Sequence, residues 1–519
     1  MIKTLIMTLI LSVSLFAQEI VEHRLPKANK VVVKLRFNNG SICDPADKEG
    51  LTYITANSIT GGGTKSSTFS EIQDMIYPMA AGYFVNVDKE VTTFTFQVHK
   101  DFLNDFYPII IGLITEPAFA ENDFNRAKLN QQNFVDQGIR ASSDENYSKM
   151  ALEDLLFRGT NYGHMKQGTS DGVKSITLDD VKSHYKKFFT TKNLTLGIAG
   201  NFDDDFVKKM VEDLQALSNE SPNLPEPGTA NMPNGIQVEI VKKDNAFGSA
   251  IYAGFPLNIT RKDADFIALM VANSYLGEHR KSYSKLYRLI RETRSMNYGD
   301  YSYIEWYDNG GGNMLPPSGT PRSSNYFSVW IRPVQIAKQL KMQYEELAHI
   351  EVGHAHFAYR MAMMEIDRLI KDGLTEEEFE TTRDFLISYT KLYAQTPAQQ
   401  LGYLLDSKFY GRTDWISELD SELKDLTLDD VNDAIKNYWQ TENMFVTIIT
   451  DKTEAEPLAE SLKLNKKSPM SYSNIVKEGL TEDVLKQDEA AATFKLNVKD
   501  VKIIDSKETF KKEEPKVIF

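Results

Sequence analysis

The sequence predicts an α+β protein built as two related halves, each a sheet with helices packed against it. Three observations carry this. Ser175–Asp203 matches Asp425–Thr453 without gaps at an offset of 250, with nine identities in 29 positions, so one supersecondary unit occurs twice. Strand-like and helical segments are mixed within each half, as layered α+β proteins require. Between the halves, Ser218–Gly235 is rich in Pro, Asn and Gly and shows no periodicity, which marks a linker.

The elements follow in chain order. Lys3, an apolar run from Leu5 to Phe16 and a cleavage point at Ala17-Gln18 predict an export signal over residues 1–17. The mature protein is therefore expected outside the cytoplasm, periplasmic or secreted. The first half, 18–217, opens with alternating segments Val31–Phe37 and Val91–Val98, the pattern of half-buried strands. Helical spacing follows over Phe102–Ile114 and Phe124–Gln137. The first repeat copy then reads as helix and strand: Thr177 and Asp180 form a capping box, Leu178, Val181, Tyr185 and Phe188 make an apolar face, and Leu194–Ala199 is a short strand.

The second half, 236–455, repeats this order. Gln237–Val241, Ser249–Phe255 and Phe327–Ile331 read as strands, and Ile336–Lys371 as a long helical stretch. Thr427 and Asp430 cap the second repeat helix, and Met444–Ile449 is its strand. Tyr307–Pro321 is a Gly/Pro loop without the Gly-Lys-Ser/Thr ending of a phosphate cradle. Residues 456–519 read as a charged extension, with a weak strand and a lysine-rich tail after Lys495.

Composition narrows the function classes. With 73 acidic and 59 basic residues the net charge is −14, which argues against a chain-wide affinity for nucleic acid. The single cysteine, Cys43, excludes an internal disulfide and multi-thiolate metal sites. After the signal no run approaches 18 apolar residues, so no stable membrane insertion is expected.

Gly50-Leu51 opens a helix running to Gly61-Gly62-Gly63-Thr64. Asn161-Tyr162-Gly163 is followed by Gly168, two Leu-x-x-Asp-Val helices recur, and Ser284–Tyr298 reads SKLYRLIRETRSMNY. In this order the motifs resemble the pitrilysin/insulinase-type zinc peptidases, in the processing-peptidase-like branch. The resemblance implies antiparallel-rich sheets and a clam-shell arrangement of the halves. It also implies a His-x-x-Glu-His helix, with two histidines on zinc and a glutamate as general base. Here that stretch reads Tyr53-Ile54-Thr55-Ala56-Asn57, so the motif positions are Tyr53, Ala56 and Asn57. None of the eight histidines begins such a motif, and 122–144 holds no glutamate to act as third ligand.

The resemblance places Arg291 and Tyr298 at the family's substrate-contacting pair. An arginine can donate two parallel hydrogen bonds to a substrate carbonyl, and a tyrosine hydroxyl can support the scissile carbonyl as charge develops. Ala80–Val91 falls where the family offers an edge strand for an extended peptide. The expectation is a non-catalytic, substrate-binding subunit, with no cofactor of its own, that completes a peptidase with a homologous zinc-carrying partner. An inactive peptide-binding or scaffolding protein is the alternative. A third reading is a metal-binding protein using His349, Glu351, His354 and His356, residue types sufficient for zinc or copper.

Overall fold

The computed structural model describes residues 19–279, 281–305, 315, 318–511 and 517. The expected signal, most of the Tyr307–Pro321 loop and most of the lysine-rich tail lie outside the described residues.

Strands β1 (Glu19–Arg24), β2 (Lys30–Phe37), β3 (Gly82–Val87), β4 (Thr92–His99) and β5 (Leu194–Gly200) form one sheet, in the order β1-β5-β2-β4-β3. Strands β6 (Ile236–Lys243), β7 (Ser249–Pro256), β8 (Asp300–Tyr303), β9 (Tyr326–Val334), β10 (Phe445–Asp451) and β11 (Val498–Asp505) form the other, in the order β11-β6-β10-β7-β9-β8. With β11 set aside, the orders superimpose strand for strand. Among these five-strand sets each has one parallel pair, β1/β5 or β6/β10, and antiparallel pairs elsewhere; β11 adds a second parallel pair by joining β6. The duplication seen in the sequence is thus a duplication of topology.

The alternation in β2 decides which surface meets which helices. Val31, Val33, Leu35 and Phe37 face a core shared with Phe94, Phe96, Phe106 and Ile110. Val32 faces the other side and packs with Ala199, Leu401 and Leu405. Leu401 and Leu405 belong to the Pro397–Phe409 helix of the second half, which lies across β1, β2 and β5. Reciprocally, the Asp144–Phe157 helix of the first half lies across β7 and β10. Each sheet is therefore covered on one face by a helix of the other half. At Gly197 on β5 an added Cβ would sit 3.1–3.2 Å from the Leu405 and Leu401 methyls, so the crossing helix packs closely on the strand there.

The predicted capping boxes are present. Thr177 N–H donates to Asp180 at 2.8 Å and Thr427 N–H to Asp430 at 2.9 Å, with the reciprocal bonds at 3.2 Å. One expectation needs correction. The Ile336–Lys371 stretch is not one helix but Ala337–Gln343 followed by Ala355–Asp372. Gly353 lies between them with its Cα against the Gln335 carbonyl, where a Cβ would come within 2.2 Å. The weak strand read after Lys495 corresponds to β11. β11 pairs in parallel with β6, and Ala491, Ala492, Ile503 and Ile504 are buried. Beyond it, the Ser506 and Thr509 carbonyls accept bonds from Arg140 of the first half, at 2.7 and 2.6 Å.

Candidate functional site

The helix bearing the motif positions runs Leu51–Thr60. Gly50 ahead of it has φ +101°, and a Cβ there would lie 2.6 Å from the Gln131 amide and 2.7 Å from the Gln167 carbonyl, so glycine is required twice over. Asp44 caps the helix, accepting from the Gly50 and Thr52 N–H groups at 2.7 Å each. His164 Nε2 is 3.2 Å from the same carboxylate, and Thr52 Oγ1 is 3.0 Å from His184 Nε2. Burial pushes His184 down to about 4, so it is neutral at physiological pH.

Tyr53 and Asn57, one turn apart, border a cavity of about 280 Å³ opposite Asn130, Gln131 and Phe134. Ala56 is fully buried in the core and offers no base. The Asn57 amide donates to the Tyr53 carbonyl at 2.8 Å. Of the residues lining this cavity, only Asp123 is a carboxylate, and it is paired with Arg126 at 2.8 Å. A phenol, neutral amides and a neutralised carboxylate do not make a zinc site, which needs imidazole, thiolate or free carboxylate donors. Among the described residues no group of three or more His, Cys, Asp or Glu could hold a metal ion.

A second cavity of about 280 Å³ shares Tyr53, Phe134 and Gln167 with the first and continues along Val85–Val87 of β3. β3 is the edge of its sheet, so its outer backbone groups face away from any partner strand. Phe134 begins a π-helical turn, Phe134–Gly138, at the end of the Glu121–Asn133 helix. Such turns often mark functional sites. Another, Tyr287–Glu292, carries Arg291.

Arg291 and Tyr298 are brought together. The guanidinium lies 4.9 Å from the Tyr287 ring centroid and 6.0 Å from that of Tyr298, within cation–π range. It also donates to the Tyr287 hydroxyl. Tyr287 was not singled out from the sequence, although its spacing of four from Arg291 was there to be read. The pair borders a cavity of about 760 Å³ with Phe247 and Met342 on its rim. Phe247, Tyr298 and Met342 are 77%, 76% and 80% exposed. This cavity shares no lining residue with the two beside Tyr53.

The histidine cluster does not assemble. His349 is exposed, with Nδ1 near the Glu346 carbonyl, and Glu351 is exposed as well. His354 and His356 are buried and engage different partners, the Ser471 carbonyl at 3.1 Å and Ser461 Oγ at 2.8 Å. The break at Gly353 separates them from His349 and Glu351. Burial lowers His354 to about 4 and His356 to about 3. Both are therefore neutral when folded and bind protons more weakly than in the unfolded chain, where the value is about 6.5. Stability is accordingly complete above pH ~6.5 and declines as pH falls from there toward 4. His356→Gln is expected to flatten this decline in denaturation curves taken from pH 7 to 4; an unchanged slope would show that this histidine is not linked to unfolding.

Fold and site together define a peptidase-like protein whose metal-binding positions carry no metal-binding side chains. Residues 19–169 match the insulinase family (peptidase family M16) and residues 175–329 match the M16 inactive domain. The chain belongs to this family, as a catalytically inactive member lacking the His-x-x-Glu-His motif. It is 20% identical over 443 residues to the non-peptidase homologue YmxG of Helicobacter pylori, covering 83% of this chain and 90% of that protein. A probable mitochondrial-processing peptidase subunit beta of Arabidopsis thaliana is 23% identical over 264 residues, 49% of this chain and 48% of that one. Among solved structures, the M16 inactive domain from Pseudomonas fluorescens superimposes with TM-score 0.69 at 15% identity, over 83% of this chain and 95% of that one.

Proposed function

We propose that this chain is the substrate-binding, non-catalytic subunit of a heteromeric zinc peptidase, supplying Arg291 and Tyr298 to a site whose metal is held by a homologous partner. The observation that carries the reading is the pairing of Arg291 and Tyr298 on an exposed cavity rim, in a chain whose own motif positions are Tyr53, Ala56 and Asn57. The zinc would act as Lewis acid on the partner. The work of this chain is to bind and orient: Arg291 donates to a substrate carbonyl, and the Tyr298 hydroxyl supports the reacting one. Three large apolar side chains more than three-quarters exposed around one cavity favour an occupied surface over a solvated one. Both chains would be exported, following the amino-terminal signal.

The test is co-expression with a similar-length chain carrying His-x-x-Glu-His. Chelator-sensitive peptide cleavage is expected from the pair and not from this chain alone; cleavage by this chain alone would overturn the reading. Met342→Asp is expected to weaken co-purification by about tenfold or more, because it places a charge among the exposed apolar side chains on the rim of that cavity. Retention of full affinity would put the interface elsewhere.

A second reading, peptide binding without a catalytic partner, is favoured by β3. It is an edge strand with a cavity along Val85–Val87, suited to an extended peptide adding through backbone hydrogen bonds.

A further inference from the structure

We propose that the cavity of about 760 Å³ beside Arg291 receives the carboxyl-terminal residue of a peptide, with its carboxylate on the guanidinium and an apolar side chain against Phe247. This rests on the reading that Arg291 contacts substrate, and it makes the carbonyl group that Arg291 meets the last one of the peptide. The guanidinium is held without a compensating charge. Nη1 donates to the Tyr287 hydroxyl, and the rings of Tyr287 and Tyr298 lie 4.9 and 6.0 Å away. These are a phenol oxygen and two aromatic faces, and none is a carboxylate. Among the described residues Arg291 forms no ion pair and no other hydrogen bond. Arg294, three residues on, is by contrast closed by Asp488 at 2.7 Å.

The two unused nitrogens of Arg291, Nε and Nη2, are open to water rather than sealed in protein. They are the same pair with which Arg322 grips Asp88, at 2.7 Å each. A carboxylate matches such a pair in geometry and in charge, whereas a main-chain amide carbonyl carries no charge to meet it. Glu292, the only carboxylate among the described residues lining the cavity, is exposed and forms no ion pair. The neighbours of the guanidinium decide where the ligand's carboxylate comes from. Phe247 is exposed but anchored, because Gln339 Nε2 donates to its carbonyl at 2.6 Å while Gln339 Oε1 accepts from the Ile336 N–H at 3.2 Å. Pro333 and Val334 of β9 continue the apolar lining. A carboxyl-terminal residue carries a carboxylate and an apolar side chain on one Cα, so a single residue satisfies both surfaces. An internal Asp or Glu engages the arginine with its side chain and leaves Phe247 to water.

Calorimetric titration of the isolated, full-length chain with four acetylated pentapeptides tests this. One ends in leucine with a free carboxylate, the second is its carboxyl amide, the third ends in glycine with a free carboxylate, and the fourth is the leucine amide with glutamate at its third position. The leucine acid is expected to bind about tenfold more tightly than its amide and severalfold more tightly than the glycine acid, and the internal glutamate is expected not to restore binding. Arg291→Gln should erase the difference between acid and amide. Phe247→Ser should erase the difference between leucine and glycine and keep that between acid and amide, with folding of both variants checked by circular dichroism. Equal binding of acid and amide, equal binding of leucine and glycine acids, full recovery by the internal glutamate, a carboxylate preference unchanged in Arg291→Gln, or no binding would overturn the proposal. No cleavage enters the measurement, so a missing carboxylate preference leaves the partner reading standing, and failure to assemble a peptidase leaves the carboxylate site standing.

Discussion

Arg322→Ala is expected to cost about 3–5 kcal/mol of stability at neutral pH, the penalty for leaving buried carboxylates unpaired. Arg322 is 2% exposed, and it binds Asp88 through Nε and Nη2 at 2.7 Å each and Glu153 through Nη1 at 2.7 Å. Lys89 reaches Glu153 at 2.9 Å and the Tyr162 carbonyl at 2.8 Å. Burial by itself would raise both carboxyls, yet the Arg322 guanidinium together with the Lys89 ammonium more than offsets it at Glu153, and Arg322 with Lys166 and Lys89 does so at Asp88, so that both lie below the usual range. Arg322 belongs to the second half, whereas Asp88 and Glu153 belong to the first. The network is therefore one buried ionic lock between halves, beside the buried Arg36–Asp406 pair at 2.7 Å, and Ser323 extends it by donating from Oγ to Glu90 at 2.8 Å.

The sign of the pH dependence distinguishes this lock from ordinary packing. Groups with lowered folded pKa values contribute stability that is present above their unfolded values, near 4, and that is lost as pH falls through the folded ones. The Arg322→Ala penalty should accordingly shrink in acid as Asp88 and Glu153 become protonated. Urea unfolding of wild type and variant at pH 7 and pH 3 measures both effects. A loss under about 1 kcal/mol at pH 7, or one independent of pH, would mean that the pairing is not what joins the halves.

Arg291→Ala is expected to lower kcat/KM of the assembled peptidase by about 10- to 100-fold, the loss of a charge-assisted hydrogen bond worth roughly 1.5–3 kcal/mol. Stability of the isolated chain should change by no more than about 0.5 kcal/mol, since Arg291 is half-buried beside an open cavity and holds no buried carboxylate. Arg291→Lys should recover only part of the activity, because an ammonium lacks the planar fork. Tyr298→Phe keeps the ring next to Arg291 and removes the hydroxyl, so it should lower kcat more than it raises KM. Steady-state kinetics on the co-purified pair decides the matter; unaltered kcat/KM in Arg291→Ala would remove the residue from the site.

Local chemistry was legible where its partners are near in sequence. Thr177 with Asp180 and Thr427 with Asp430 lie three apart, and a capping box needs nothing else. The alternation in β2 announced a half-buried strand for the same reason. β11 was legible as a weak strand after Lys495, but not its partner: its pairing with β6 spans more than 250 residues. Gln131 and Gln167 are 36 residues apart, and nothing in either neighbourhood announces that the Gln131 amide donates to the Gln167 carbonyl. The histidines near Gly353 misled in the opposite direction, since proximity along the chain did not survive the break in the helix.

By itself, the sequence determined the duplication, the family and the loss of zinc chemistry, because these depend on which residue types stand at which spacing. Tyr53, Ala56 and Asn57 lack the imidazoles and the carboxylate with which a His-x-x-Glu-His helix holds zinc and activates water. Only the tertiary structure decided how the halves exchange covering helices, that Arg322 ties them through buried charges, and that Arg291 lies between Tyr287 and Tyr298. It also decided that Asn130, Gln131 and Gln167 stand beside the former metal position. The physical reason is range: capping and periodicity act within a few residues, whereas burial and the pairing of distant charges exist only once the chain has closed on itself.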